Sequence, residues 1–181
     1  MRRTARIATL AAAALSCAGP RSAQPSPLLG KPVAVAAPRL DGREERVPGP
    51  RARAAVVDFW ATWCEPCRDQ LPMLDRLHGR WRDRGVEVVA VSFDEDRAAL
   101  EEFLARIPVG FPVLWDKGGG ALAVKMEITR LPTTLILDQG GVVRAVHLGF
   151  DRGDATALER ELEQVLAAQG GATPAGDATG R

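Results

Sequence analysis

The sequence predicts an α/β domain: a central mixed β-sheet flanked by helices on both faces. Three observations carry that prediction. Short apolar runs at Ala54–Trp60, Glu87–Phe93 and Thr134–Asp138 have the length of buried strands and are bounded by turn residues. Apolar residues between them recur at helical intervals: Cys67, Leu71, Leu74, Leu77 and Trp81, then Leu100, Phe103, Leu104 and Ile107. Near the end, Thr134–Asp138 and Val142–Leu148 flank Gln139-Gly140-Gly141, the signature of a closing hairpin.

The 181 residues, 46% apolar and 26% charged, suit one globular domain. Residues 1–18 read as an export signal, with Arg2, Arg3 and Arg6 ahead of Ile7–Leu15, an apolar stretch too short to span a bilayer. Cys17 follows Ala14-Leu15-Ser16, which resembles a bacterial lipobox and makes Cys17 a lipidation site; ordinary cleavage nearby, for example after Ala18, would discard it. The whole chain carries a formal +1, and loss of those three arginines leaves −2, so nothing in its charge argues for nucleic acid or acidic substrates. Residues 19–27, with Ser, Gln and Pro, suit a tether.

Val33–Ala37 and Glu44–Val47 flank Asp41-Gly42, a hairpin signal, and Pro48-Gly49-Pro50 then breaks the chain before the central strand Ala54–Trp60. A helix to Trp81 follows, then the strand Glu87–Phe93, the helix Arg97–Ile107, a short strand Phe111–Trp115 and a short helix Ala121–Met126. The closing hairpin leads to a last helix, Asp154–Ala168, capped by Asp154 with Leu158, Leu162, Val165 and Leu166 turned inward. The domain spans residues 28–168. Residues 169–181 are small and polar and read as a disordered tail.

The chemistry concentrates at Trp63-Cys64-Glu65-Pro66-Cys67, where the central strand hands over to its helix. Free N–H groups and the positive end of the helix dipole favour an anion there, which lowers the pKa of Cys64 and makes it the attacking sulfur. Cys67, one turn on, is close enough to close a disulfide back onto Cys64, and Pro66 suits a first helical turn. A four-cysteine zinc site would need a second Cys pair, which the chain lacks. Asp58 interrupts an apolar strand six residues before Cys64; buried, its pKa would rise, and it could take the proton that Cys67 must lose. Glu65 opposes thiolate formation at Cys64, which makes the reduced form less stable and the couple more reducing.

The stretch DFWATWCEPC resembles the active-site segment of the thioredoxin superfamily, and CEPC resembles the TlpA/ResA branch of exported thiol–disulfide oxidoreductases, related to the AhpC/TSA proteins. Pro72 stands where thioredoxins carry a kinking proline, and Leu131-Pro132-Thr133 where they place a cis-proline loop. Pro132 lies 68 positions after Cys64, which leaves room for the strand–helix insert of the TlpA/ResA branch. The resemblance implies a thioredoxin-like fold with an N-terminal β-hairpin and that insert before the cis-proline loop. It implies a Cys64–Cys67 disulfide, catalytic roles for Cys64, Cys67, Asp58 and Glu95, and a substrate surface of Trp63, Leu131, Pro132 and Thr133. Trp60 is expected beside the centre, and Trp81 and Trp115 in the core. Glu95 falls near the acidic residue of that branch, although it could equally be a solvated lead into the next helix.

The implied activity is reduction of disulfides in a partner protein, in cytochrome c maturation or copper-site assembly, by a monomer re-reduced by a membrane donor of the DsbD/CcdA type. The resemblance places the protein on the periplasmic side of the cell envelope, touching the membrane only through a lipid anchor, with no nucleotide or metal cofactor. A peroxiredoxin-like peroxidase would need Thr three residues before its cysteine, where Ala61 stands. A copper chaperone would need three residues between the cysteines and a distal His, whereas this chain has two between and only His78 and His147. A non-catalytic lipoprotein would have little reason to hold both cysteines and Pro132.

Overall fold

A computed structural model describes residues 26–170. Cys17, the export signal, most of the tether and residues 171–181 lie outside the described residues. The chain runs β1 (Val35–Pro38), β2 (Glu44–Val47), β3 (Ala54–Trp60), α1 (Glu65–Trp81), β4 (Val86–Ser92), α2 (Arg97–Arg106), β5 (Val113–Trp115), α3 (Leu122–Lys125), β6 (Thr133–Asp138), β7 (Val143–Leu148) and α4 (Asp154–Gly170).

Five strands form one sheet in the order β5-β4-β3-β6-β7, and β1-β2 make a separate hairpin. All seven residues of β3 are buried, as its unbroken apolar run requires of a strand covered on both faces. Strand β3 pairs parallel with β4 and antiparallel with β6, so Asp58 lies opposite Ala90 on one side and Thr134 on the other. Its side chains alternate between two cores. Val56 and Trp60 face Leu71, Leu74 and Trp81 of α1, Leu100 of α2 and Leu158 and Leu162 of α4. Ala55, Val57 and Phe59 face Leu122 of α3 and Val35 and Val47 of the hairpin. Helices thus cover both faces, three on one and the short α3 with the hairpin on the other.

At two of the boundaries that differ from the sequence expectation, those of β1 and α3, hydrogen bonds account for the difference. The first hairpin strand begins at Val35 rather than Val33, because the Val33 N–H bonds the Gly141 carbonyl at 2.9 Å. Neighbouring Gly30 and Lys31 exchange hydrogen bonds with Val143 at 2.8 and 3.0 Å, which lays this segment along the start of β7. At the opposite edge Arg39 bridges Leu114 of β5, and the Arg97 guanidinium donates to the Leu40 carbonyl. The short helix starts at Leu122, where the Asp116 carboxylate accepts from the N–H groups of Ala121, Leu122 and Ala123 at 3.1, 2.8 and 3.3 Å. Helix α4 is closed from the other direction than expected: Asp154 accepts from the Asp151 N–H upstream at 2.6 Å. Leu158, Leu162, Val165 and Leu166 are buried as expected. The Val47–Pro48 and Leu131–Pro132 peptide bonds are both cis; the sequence had marked the first only as a break. Among the described residues no helix is long and apolar enough to cross a membrane.

Candidate active site

Strand β3 ends at Trp60, and the turn Ala61-Thr62-Trp63 delivers Cys64 to the N-cap of α1, with its N–H on the Ala61 carbonyl at 3.1 Å. No side chain caps this helix; Glu65 and Pro66 occupy its first turn, so the N-terminal N–H groups remain available to a charge on Cys64. Cys64 and Cys67 are joined in a disulfide with Cα atoms 5.3 Å apart. Cys64 is 7% exposed and Cys67 0%, so of the pair only Cys64 meets solvent.

Asp58 is sealed, at 0% exposure, on the face of the sheet that α1 covers. Its Oδ1 accepts from Thr134 Oγ1 at 2.7 Å and from Gln70 Nε2 at 3.0 Å, and Gln70 Nε2 also donates to Thr134 Oγ1 at 2.7 Å. Burial raises the Asp58 pKa to about 7, and the hydrogen bonds from Thr134 and Gln70 offset only part of that. Neither Gln70 nor Thr134 was legible as a site residue. A polar residue between Cys67 and Leu71 in a buried helical stripe was the available signal.

The acidic residue bound to the loop before Cys64 is Asp94, which the sequence reading passed over. Its carboxylate, 4% exposed, accepts from the Thr62 N–H at 3.2 and 3.1 Å, from the Thr62 hydroxyl at 2.6 Å and from the Ser92 hydroxyl at 2.7 Å. Trp115 donates to the Asp94 carbonyl at 2.7 Å. Glu95 is exposed, with its carboxylate over Gly118, and the cap of α2 is Asp96, which accepts from the Ala98 and Ala99 N–H groups.

Trp63 is 70% exposed, beside the reachable sulfur, whereas Trp60 is fully buried against Phe103 with ring centroids 5.6 Å apart. Leu131 is half-buried against the core cluster that contains both cysteines, and the Pro132 carbonyl accepts from the Gly149 N–H at 2.8 Å. Thr133 is buried, and its hydroxyl donates to the Arg130 carbonyl at 2.7 Å, so that group closes the loop instead of facing outward. An open groove of about 740 Å³ runs from Pro66 past Asp69, Met73 and Arg76 to Phe150–Arg152 and Ala155. Of the two histidines, His147 is buried with its Nε2 2.7 Å from Glu161, and His78 packs its edge toward Phe111.

The AhpC/TSA family model matches residues 31–146. The thiol–disulfide oxidoreductase ResA of Geobacillus thermodenitrificans is 33% identical over 127 residues, covering 70% of this chain and 69% of that protein. The thioredoxin-like protein YneN of Bacillus subtilis is 32% identical over 130 residues, covering 70% and 71%. Among solved structures, a thiol:disulfide interchange protein described as DsbE from Chlorobium tepidum superposes with a TM-score of 0.69 at 30% identity, covering 75% of this chain and 95% of that one. StoA from Bacillus subtilis shares the fold at a TM-score of 0.62 and 21% identity, covering 74% and 98%. The chain, with its cysteine pair at the N-cap of α1, belongs to the AhpC/TSA family and is a thiol–disulfide oxidoreductase.

Proposed function

We propose that the protein is an extracytoplasmic reductase of disulfides in a partner protein. The observation that supports this best is the pairing of a partly exposed Cys64 with a sealed Cys67 at the start of α1, the helix whose Gln70 also bonds the buried Asp58 carboxyl, itself raised to about 7. In the reduced form the Cys64 thiolate, favoured by the helix terminus, attacks a partner disulfide, and one partner sulfur leaves as thiolate. The mixed disulfide lies against Leu131-Pro132, with Trp63 as the exposed docking surface and the backbone of Thr133 completing the loop. Cys67 gives its proton to Asp58 and attacks the Cys64 sulfur, releasing the second partner thiolate. Two electrons pass from the cysteine pair to the partner, and a membrane donor of the DsbD/CcdA type returns them.

Asp58 serves Cys67 better than Glu95 does: the first is buried under α1, the second exposed and turned to Gly118. Against a peroxidase stands the engagement of Thr62, whose N–H and hydroxyl are both held by Asp94, with Ala61 at the position a peroxidatic site needs for Thr. The signal at residues 1–18, with Cys17 as the lipid site, supports an address on the periplasmic side of the envelope. Apocytochrome c and copper-site proteins both fit as partners, and the reductase acts as a monomer.

The reduction potential of the Cys64–Cys67 pair, measured by equilibration in dithiothreitol or glutathione buffers, tests the direction of flow. A value near the thioredoxin end of the range, about −270 mV, is expected; one near the DsbA end, about −120 mV, would make the protein an oxidant.

A further inference from the structure

We infer that Gln70 is a positioning residue for the exchange: together with Thr134 it saturates Oδ1 of Asp58, so that Oδ2 is the atom that takes the proton from Cys67. The inference rests on the proton-accepting role proposed for Asp58.

Asp58 Oδ1, Gln70 Nε2 and Thr134 Oγ1 form a triangle with sides of 3.0, 2.7 and 2.7 Å. Two amide hydrogens of Gln70 and one hydroxyl hydrogen of Thr134 fill these three contacts, with Oδ1 accepting twice. A proton placed on Oδ1 would put four hydrogens into three contacts. Oδ2, by contrast, is buried and has no hydrogen-bond partner among the described residues. The carboxylate is therefore held by one oxygen and reactive at the other.

Gln70 meets Asp58 and Thr134 through its amide nitrogen alone; its Oε1 is buried without a hydrogen-bond partner among the described residues. The residue is 2% exposed on a helical face otherwise occupied by Cys67, Leu71, Leu74 and Leu77, where an amide is costly unless paired. Among the described residues, Gln70 of α1 and Thr134 of β6 bond Asp58, Ala90 of β4 stands opposite it in register, and no cation is among the groups that act on it; one strand further along the same row, His147 of β7 is engaged with Glu161 of α4. Donation from Gln70 and Thr134 is thus what favours the ionised form of Asp58 against its burial.

The step balances. The Cys67 S–H proton moves to Asp58 Oδ2, and the Cys67 thiolate forms the bond to Cys64. The Cys64–partner bond breaks, and the partner sulfur leaves with the electron pair and is protonated by solvent.

The test is a single-turnover measurement of partner release from the preformed mixed disulfide across pH, for the full protein and for Gln70→Leu, Gln70→Met, Asp58→Asn and Gln70→Leu/Asp58→Asn. The Asp58 carboxyl is titrated in parallel by ¹³C NMR in the oxidised protein. Loss of one donated hydrogen bond should move the acid limb and the carboxyl titration upward by about one pH unit in both Gln70 variants, slowing release up to about tenfold below the midpoint. The double variant should match Asp58→Asn. If Gln70→Leu and Gln70→Met leave the limb in place while Asp58→Asn abolishes it, the role of Gln70 is overturned and that of Asp58 stands. If the limb survives Asp58→Asn, both fall.

Discussion

Asp94 grips Thr62 from two sides, taking its backbone N–H at 3.2 and 3.1 Å and its hydroxyl at 2.6 Å, two residues before Cys64. The pair ties the end of β4 to the loop that positions Cys64. Asp94→Ala should cost about 2–4 kcal/mol in urea unfolding, since several hydrogen bonds to one charged, buried group are lost together. The same variant should reduce a protein disulfide more slowly. A variant as stable as the parent would show that the loop holds itself.

The raised pKa of Asp58, from 3.8 to about 7, makes stability depend on pH in a defined direction. Below pH 4 the carboxyl is protonated in both folded and unfolded chains, and burial costs little. Between pH 4 and 7 the unfolded chain loses the proton while the folded one keeps it, so stability falls by about 1.4 kcal/mol per pH unit and then levels off. Asp58→Asn should remove that slope. Urea unfolding of both oxidised proteins at pH 4, 6 and 8 should therefore give a stability difference that grows with pH, to an order of about 4 kcal/mol. A difference that stays flat would falsify the assignment.

Glu65 is exposed in the first turn of α1, next to the sulfur that must become a thiolate. Replacing it with Gly removes a negative charge from the helix terminus, stabilises the reduced form and should raise the reduction potential by about 10–30 mV. Redox titration of Glu65→Gly beside the parent is the check. No change, or a fall, would remove Glu65 from the control of the potential.

Trp63, 70% exposed, contributes little to packing but stands next in the chain to Cys64, the partly exposed member of the cysteine pair. Trp63→Ala should change stability by less than about 0.5 kcal/mol, yet raise KM for a protein disulfide several-fold. Reaction with a small disulfide should change little. Equal losses on large and small substrates would assign Trp63 to the chemistry instead of docking.

Much of this was legible in residues one at a time. Cys64, Cys67 and Asp58 announce themselves because each violates the pattern around it: two thiols at a strand–helix junction and a carboxylate inside an apolar strand. Strand and helix types followed from periodicity, because every long element here is buried along one stripe or on both faces. Partners were not legible. Thr134 lies 76 positions from Asp58 and looked like the first residue of a strand; only the antiparallel register of β3 with β6 sets it opposite the carboxylate. Asp94 and Glu95 are adjacent acids in the loop after β4, and that loop turns one inward to Thr62 and leaves the other over Gly118. Beyond the strand end no periodicity says which of two neighbouring acids the loop turns inward.

The segment ahead of β3 touches both margins of the sheet, along β7 through Gly30–Val33 and at β5 through Arg39. Unpaired margins are where sheets of different molecules join, so this segment acts as a selvedge. It is also the part of the domain made first, while the strands it binds, β5 and β7, lie 113–148 residues into the chain. During synthesis the hem is in hand before there is cloth to sew it to. The margins close only when β5 and β7 are both present, so a chain that still lacks them leaves the segment without the edges it covers.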